Sequence, residues 1–100
     1  VFQALLRAEA KQLGDALAFL AAARQSAEAC NAALGGSVTL YDPVPMRLFR
    51  KMTLERAQLL VESASRPALQ TFLAGWVAGL YNQKAPRDLR WHVDVDPLEF

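Results

Sequence analysis

At 100 residues the chain is the size of one compact domain, with enough surface to close a single core and not two. Its 53% apolar residues are ordinary for a globular fold; no run approaches the ~18 apolar residues a membrane span needs, and no charged-then-apolar start resembles a signal peptide. A net charge of +1 is too small to argue for a polyanion by itself, and one cysteine, Cys30, excludes an internal disulfide and fits a reducing cytoplasm.

Val1 to Glu9 alternates, with Phe2, Ala4, Leu6 and Ala8 on one side and Gln3, Arg7 and Glu9 on the other. A period of two predicts a half-buried strand, blurred by Leu5. Because this strand opens the chain without an initiator methionine, the sequence reads as one domain, 1–100, cut from a longer protein. From Lys11 to Leu34 the period changes. Leu13, Leu17, Leu20, Ala23, Ala27, Cys30 and Leu34 recur every three or four residues and predict one apolar helical stripe. Gly35-Gly36 supplies the stop, because glycine accepts the left-handed conformation.

Val38 to Tyr41 predicts a short strand, after which Pro43 and Pro45 break regular pairing. Arg47 to Ser63 reads as the rest of a β-hairpin, with Leu48, Phe49 and Met52 on one arm, Leu59, Leu60 and Val61 on the other, and a turn within Lys51 to Glu55. Thr53 to Glu62 also has good helix propensity, so a helix competes there. Ser65-Arg66-Pro67 starts a second helix, by serine capping and a proline in the first turn. Leu69, Phe72, Leu73, Trp76, Val77 and Leu80 form its stripe. A polar loop from Asn82 to Asp88 leads to a last strand, Leu89 to Val95, with Leu89, Trp91, Val93 and Val95 inward and Arg90, His92 and Asp94 outward. The order β-α-β-β-α-β predicts an α+β fold of the split-βαβ (ferredoxin-like) type: an antiparallel sheet with both helices on one face.

Charge is unevenly spread. Residues 47–90 carry Arg47, Arg50, Lys51, Arg56, Arg66, Lys84, Arg87 and Arg90 against Glu55, Glu62 and Asp88, an imbalance that can attract an anion or simply form a solvated face. Chemistry-bearing groups are few. His92 is the only histidine and sits on the outward side of a strand, so no His-based metal or nucleophile site assembles. Asp94 and Asp96 could bind a cation or act as an acid–base pair, but strand termination and pairing with arginines is the simpler reading. Cys30 and Trp76 read as core, and Trp91 as core with a base-stacking platform as the alternative. No catalytic residue, metal site or cofactor site is expected within the chain.

The closing Arg90-Trp91-His92-Val93-Asp94-Val95-Asp96-Pro97 resembles the R/K-W-x-x-D-V-D-P ending of the primosomal protein N′ family, the bacterial replication-restart DNA helicases. Ser65-Arg66 followed by Leu69-Gln70 is similar to the family's Ser-Arg helix start, Pro43-Val44-Pro45 to its Gly-Pro-x-Pro turn, and Leu5 to Glu9 to the strand that opens its C-terminal domain. The chain departs from the family in having Asp42 for the turn glycine and Thr53-Leu54-Glu55-Arg56-Ala57-Gln58 for Gly-Arg-Tyr-Arg-Trp-Gln, which removes both hairpin aromatics.

The resemblance implies a cytoplasmic, nucleoid-associated helicase that reloads replication at abandoned forks, with its ATP and zinc sites in other parts of the parent chain. This module would be ribosomal-protein-S10-like and non-catalytic. It would recognise branched or single-stranded DNA, contact the helicase core and other primosome proteins, and dock the acidic tail of single-stranded DNA-binding protein. On that reading Arg47, Arg50, Lys51 and Arg56 grip phosphates from the hairpin, with Lys84, Arg87 and Arg90 extending the patch. Arg66 and Gln70, four apart beside a helix N-terminus, would take the tail carboxylates. The competing reading is a structural module that packs on the helicase core without touching DNA.

Overall fold

The computed structural model describes residues 2–45 and 55–95. In chain order these form β1 (Phe2–Ala10), α1 (Leu13–Ala33), β2 (Thr39–Leu40), β3 (Val44–Pro45), β4 (Glu55–Ser63), α2 (Arg66–Leu80) and β5 (Arg90–Val95). The sheet runs β2-β4-β1-β5 with β3 also on β4, and every pairing is antiparallel. This is the expected split β-α-β-β-α-β layout. β1 takes the centre because it is long and apolar on its helix-facing side, where Ala4, Leu6, Ala8 and Ala10 are all buried.

Both helices lie over β1 and β4 and enclose one core. α2 follows its expected stripe: Leu69, Phe72, Leu73, Trp76 and Leu80 are buried and Val77 is half-buried. α1 is rotated slightly from expectation. Its buried face runs through Ala16, Phe19, Leu20, Ala23 and Ala27, while Leu13, Leu17 and Cys30 only flank the core and Leu34, just past the helix, is 43% exposed. Small alanines let α1 approach the sheet closely, so the large Phe19 fills the space instead of the outer leucines.

The helix ends obey local chemistry. α1 closes in a Schellman arrangement: Gly36 N–H donates to Asn31 O at 2.7 Å and Gly35 N–H to Ala32 O at 3.3 Å, with Gly35 at φ 91° and Gly36 at φ 75°. At the start of α2, Ser65 Oγ accepts from Ala68 N–H at 3.3 Å. Buried Ser63 just upstream is fully used, its Oγ donating to Ser37 O at 2.9 Å and accepting from Ser65 N–H at 3.1 Å.

Strand pairing decides the middle of the chain. The competing helix over Thr53 to Glu62 gives way to β4, whose Ala57, Leu59, Val61 and Ser63 are buried while Gln58, Leu60 and Glu62 are half-buried. Two ladders pin this strand, and pairing overrides its helical propensity. The prolines do not end pairing either. Pro45 sits opposite Ala57 in β3, which is tolerated because β2 and β3 form an interrupted edge with no further strand needing the missing N–H. Leu5 is fully buried although it lies on the helix-free side, opposite Leu60 and Asp94. The first hairpin arm and most of its turn fall in residues 46–54, outside the described residues.

The registers fix two ends for the domain. Ala10 lies opposite Glu55 and Glu9 opposite Arg90, so the end of β1, the starts of β4 and β5 and the α2–β5 loop meet at one end. Phe2 lies opposite Ser63 and Ala4 opposite Val95, so the start of α2 lies at the other.

Candidate nucleic-acid interface

No helix of the described residues packs on the second face of the sheet, so the charges of that face decide what it can hold. Alternation sends Gln3, Arg7 and Glu9 of β1, Arg56, Gln58 and Glu62 of β4, and Arg90, His92 and Asp94 of β5 to the helix-free side. Most are tied to one another. Arg7 Nη1 meets Asp94 at 2.9 Å, His92 Nε2 approaches the same carboxylate at 3.5 Å, and Arg56 Nε donates to Glu9 at 3.1 Å. Asp94 thus pairs with a neighbouring arginine, as the sequence suggested. Each acid across this face is matched by a cation or a donor, so the face presents little net field to a phosphate backbone.

At its β2 margin, Glu62 accepts from Tyr41 Oη at 2.6 Å and from Gln3 Nε2 at 3.1 Å. The Tyr41 bond, seconded by Gln3, holds the Glu62 carboxyl below the usual carboxylate range. The same bond, with some desolvation and the nearby carboxylate charge, raises the Tyr41 phenol above its usual value. Because Glu62 is depressed, its contribution to stability is present above the ordinary carboxyl pKa and is lost as pH falls through the folded value. Because Tyr41 is raised, its contribution holds below the ordinary phenol pKa and is lost as pH climbs through the folded value. An absorbance titration should show a phenol transition shifted to high pH that vanishes in Tyr41→Phe. If Tyr41→Phe removes only a phenol of ordinary pKa, the bond does not persist in solution.

Uncommitted positive charge gathers at the β5 end of the sheet. Lys84 and Arg87 are exposed on the α2–β5 loop and Arg90 is exposed at the first position of β5. Among the described residues these three have no ion-pair partner, in contrast to Arg7, Arg24 and Arg56. Arg24, on α1, pairs with Glu28 and with Asp42 and donates to Tyr41 O at 3.1 Å, which ties the Pro43 turn to the helix.

The loop bearing the cations is anchored at two points. Gln83 Nε2 donates to Phe19 O at 2.9 Å, and Lys11 N–H donates to Asp88 Oδ2 at 2.7 Å. The second bond uses the loop's acid internally and brings Lys11, which spacing gave no reason to select, alongside the patch. Arg47, Arg50 and Lys51 fall outside the described residues, but the strands bracketing them, β3 and β4, adjoin this same end through the Pro45–Ala57 pair and the start of β4 at Glu55.

Arg66 and Gln70 are brought together as exposed neighbours one turn apart on α2, at the opposite end of the sheet. A nine-residue β1 puts about 26 Å between the two ends. The helix start offers fewer free amides than the sequence implied, because Pro67 has none and that of Ala68 is taken by Ser65. What remains is the dipole and the guanidinium. No acidic residue lies in the first turn of α2, so Arg66 stands against the helix dipole without local compensation, a placement helix stability does not explain.

No group of three or more His, Cys, Asp or Glu side chains converges among the described residues, and no helix there is long and apolar enough to cross a membrane. Asp96, half of the acid pair read from sequence, lies outside them.

Comparison with known proteins fits this architecture. A de novo designed protein, Foldit4, superposes with a TM-score of 0.63 at 4% identity, covering 98% of each chain. A dimeric ferredoxin-like protein from an uncultured marine organism gives 0.56 at 14% identity, over 94% of this chain and 91% of that one. A second dimeric ferredoxin-like protein, likewise from an uncultured marine organism, gives 0.56 at 14% over 100% and 98%. At these identities the likeness establishes the fold alone. The sequence pattern described as Primosomal protein N C-terminal domain matches residues 1–98, and the chain therefore belongs to that family, the replication-restart class its closing motif resembles.

Proposed function

We propose that this domain is a non-catalytic module that grips the phosphates of branched or single-stranded DNA at one end and docks an acidic protein tail at the other. The observation that carries the DNA reading is the contrast in pairing. On the helix-free face Arg7 and Arg56 are matched by acids, while Arg90 at its β5 end and Lys84 and Arg87 on the adjoining loop are not, and Lys11 stands beside them. Unpaired cations on an anchored loop can replace counterions on a phosphate backbone without first giving up an ion pair. Grip of this kind positions a strand and reads no sequence, which suits a protein that must recognise forks wherever they occur.

Arg66 and Gln70 provide the second contact, a fork-shaped donor set for the carboxylates of the tail of single-stranded DNA-binding protein. With a strand's length between the sites, DNA and tail can be held together without competing. ATP hydrolysis, zinc binding and the remaining primosome contacts belong, on this reading, to other parts of the parent chain in the bacterial cytoplasm.

Fluorescence anisotropy of a labelled fork DNA across a salt series tests the DNA half. Binding should weaken steeply as salt rises, and Lys84→Ala with Arg87→Ala should lower the slope of log affinity against log salt by about 1.4–1.8, at 0.7–0.9 per lost phosphate contact. Arg66→Ala should leave that titration unchanged and weaken an acidic tail peptide by about tenfold or more. No fork binding even at low salt overturns the DNA reading and leaves a module that packs on the helicase core.

A further inference from the structure

We propose that Tyr81 and Trp91 form a stacking platform for one unpaired base of the strand whose phosphates run along Lys84, Arg87 and Arg90. This rests on the DNA reading above and narrows its ligand from branched or single-stranded DNA to an unpaired strand at this end of the domain.

The platform follows from how the core is covered. The helices lie over β1 and β4, and neither brings its backbone against β5. The flank of β5 is filled by aromatic side chains instead. Phe19 stacks on Trp91 with ring centroids 6.1 Å apart at 27°, and Trp91 meets Tyr81 at 5.0 Å and 56°. The series runs outward from the core: Phe19 is buried, Trp91 half-buried, and Tyr81, the residue that caps α2, is 78% exposed. Beside the two outer rings lies a cleft of about 580 Å³, lined also by Val77, Leu89, Val93, Arg90 and His92.

An aromatic cleft alone does not choose its occupant; charge does. The loop running from Tyr81 to Leu89 carries Lys84 and Arg87, Arg90 follows at once, and the loop's one acid, Asp88, is occupied by the Lys11 amide. The cleft is therefore an aromatic surface with Arg90 in its lining, entered from a loop that bears Lys84 and Arg87. Nucleobases offer a π-face to such rings whatever their sequence, and their phosphates supply the matching charge. In duplex DNA those faces are already stacked, so an unpaired strand is selected. Among the described residues the helix-free face has no comparable platform: its margin aromatic, Tyr41, has its hydroxyl held by Glu62.

The test titrates the 100-residue chain with oligothymidine and with blunt duplex of equal length, read by anisotropy and by tryptophan emission. Single strand, not duplex, should quench the emission, and Trp91→Phe should abolish the quenching, because the remaining tryptophan, Trp76, is buried. Tyr81→Ala should cost at least about fivefold in single-strand affinity, with circular dichroism and duplex affinity unchanged, and Tyr81→Phe should restore binding. If Tyr81→Ala leaves single-strand affinity intact while Lys84→Ala with Arg87→Ala weakens it, the platform is wrong and the DNA reading stands. If neither nucleic acid binds, both fall.

Discussion

Trp76→Ala should destabilise the domain by about 3–5 kcal/mol, enough to leave a marginal 100-residue fold largely unfolded at moderate temperature. The side chain is 1% exposed and is the largest among the fully buried ones. It packs on Phe72 with centroids 5.2 Å apart, and its indole N–H donates to Ala23 O at 2.9 Å. Ala23 lies on α1, so one residue of α2 both fills the space between the helices and pins them in register. Removing it leaves a cavity bounded by a sheet and two helices whose ends are fixed by caps and loop anchors, so collapse around it is restricted. Trp76→Phe keeps most of the apolar area and gives up the indole bond and part of the volume, for a loss of about 1–2 kcal/mol. Urea denaturation followed by circular dichroism measures both variants. An alanine variant within about 1 kcal/mol of the parent would show that the two helices are not coupled through this ring.

The same contrast explains what sequence could and could not show. The alternation in β1 and β5 is legible as strand because every second side chain, such as Ala4, Leu6, Ala8, Trp91 and Val93, meets the core while polar residues fall between them. Ser65-Arg66-Pro67 and Gly35-Gly36 announced helix ends because capping chemistry is local, and both geometries are present. β4 was ambiguous for the complementary reason: its helix formers become a strand only when β1 and β2 lie on either side. β3 was hidden because the tolerance of Pro45 depends on its edge position.

For the candidate site the missing information was which charges are already matched. Arg56 and Arg90 look alike in the sequence, yet Arg56 is held by Glu9, a residue 47 positions away, and Arg90 has no such partner among the described residues. Tyr81 carried no signal either, since an aromatic one residue beyond a helical stripe reads as helix end. Its exposure and its contact with Trp91 depend on the β5 register and on the helices stopping short of that strand. Arg66 and Gln70 were legible because an i,i+4 pair is a property of one helix.

Asn31→Ala should cost about 2 kcal/mol, a large effect for a half-buried polar residue with no motif around it. Asn31 lies in the last turn of α1, and its side chain brackets one residue of the connection to β2. Its Nδ2 donates to Val38 O at 2.7 Å, and its Oδ1 accepts from Val38 N–H at 3.0 Å. Its own carbonyl accepts the Gly36 amide, so one residue closes the helix and aligns the following chain. The amide thus acts as a short piece of strand, presenting a donor and an acceptor to the backbone of Val38, a residue that is 5% exposed and lacks a paired strand there among the described residues. Alanine strands both Val38 groups near the core edge, where unsatisfied polar atoms are expensive. Asn31→Asp separates this account from a simple loss of packing. Its carboxylate can still accept from Val38 N–H but faces Val38 O with no proton to donate, so at neutral pH it should be no better than alanine. Protonating that carboxyl restores the donor. The stability of Asn31→Asp relative to Asn31→Ala should therefore rise as pH falls through the carboxyl range, and a difference independent of pH would mean that the bracket does not form.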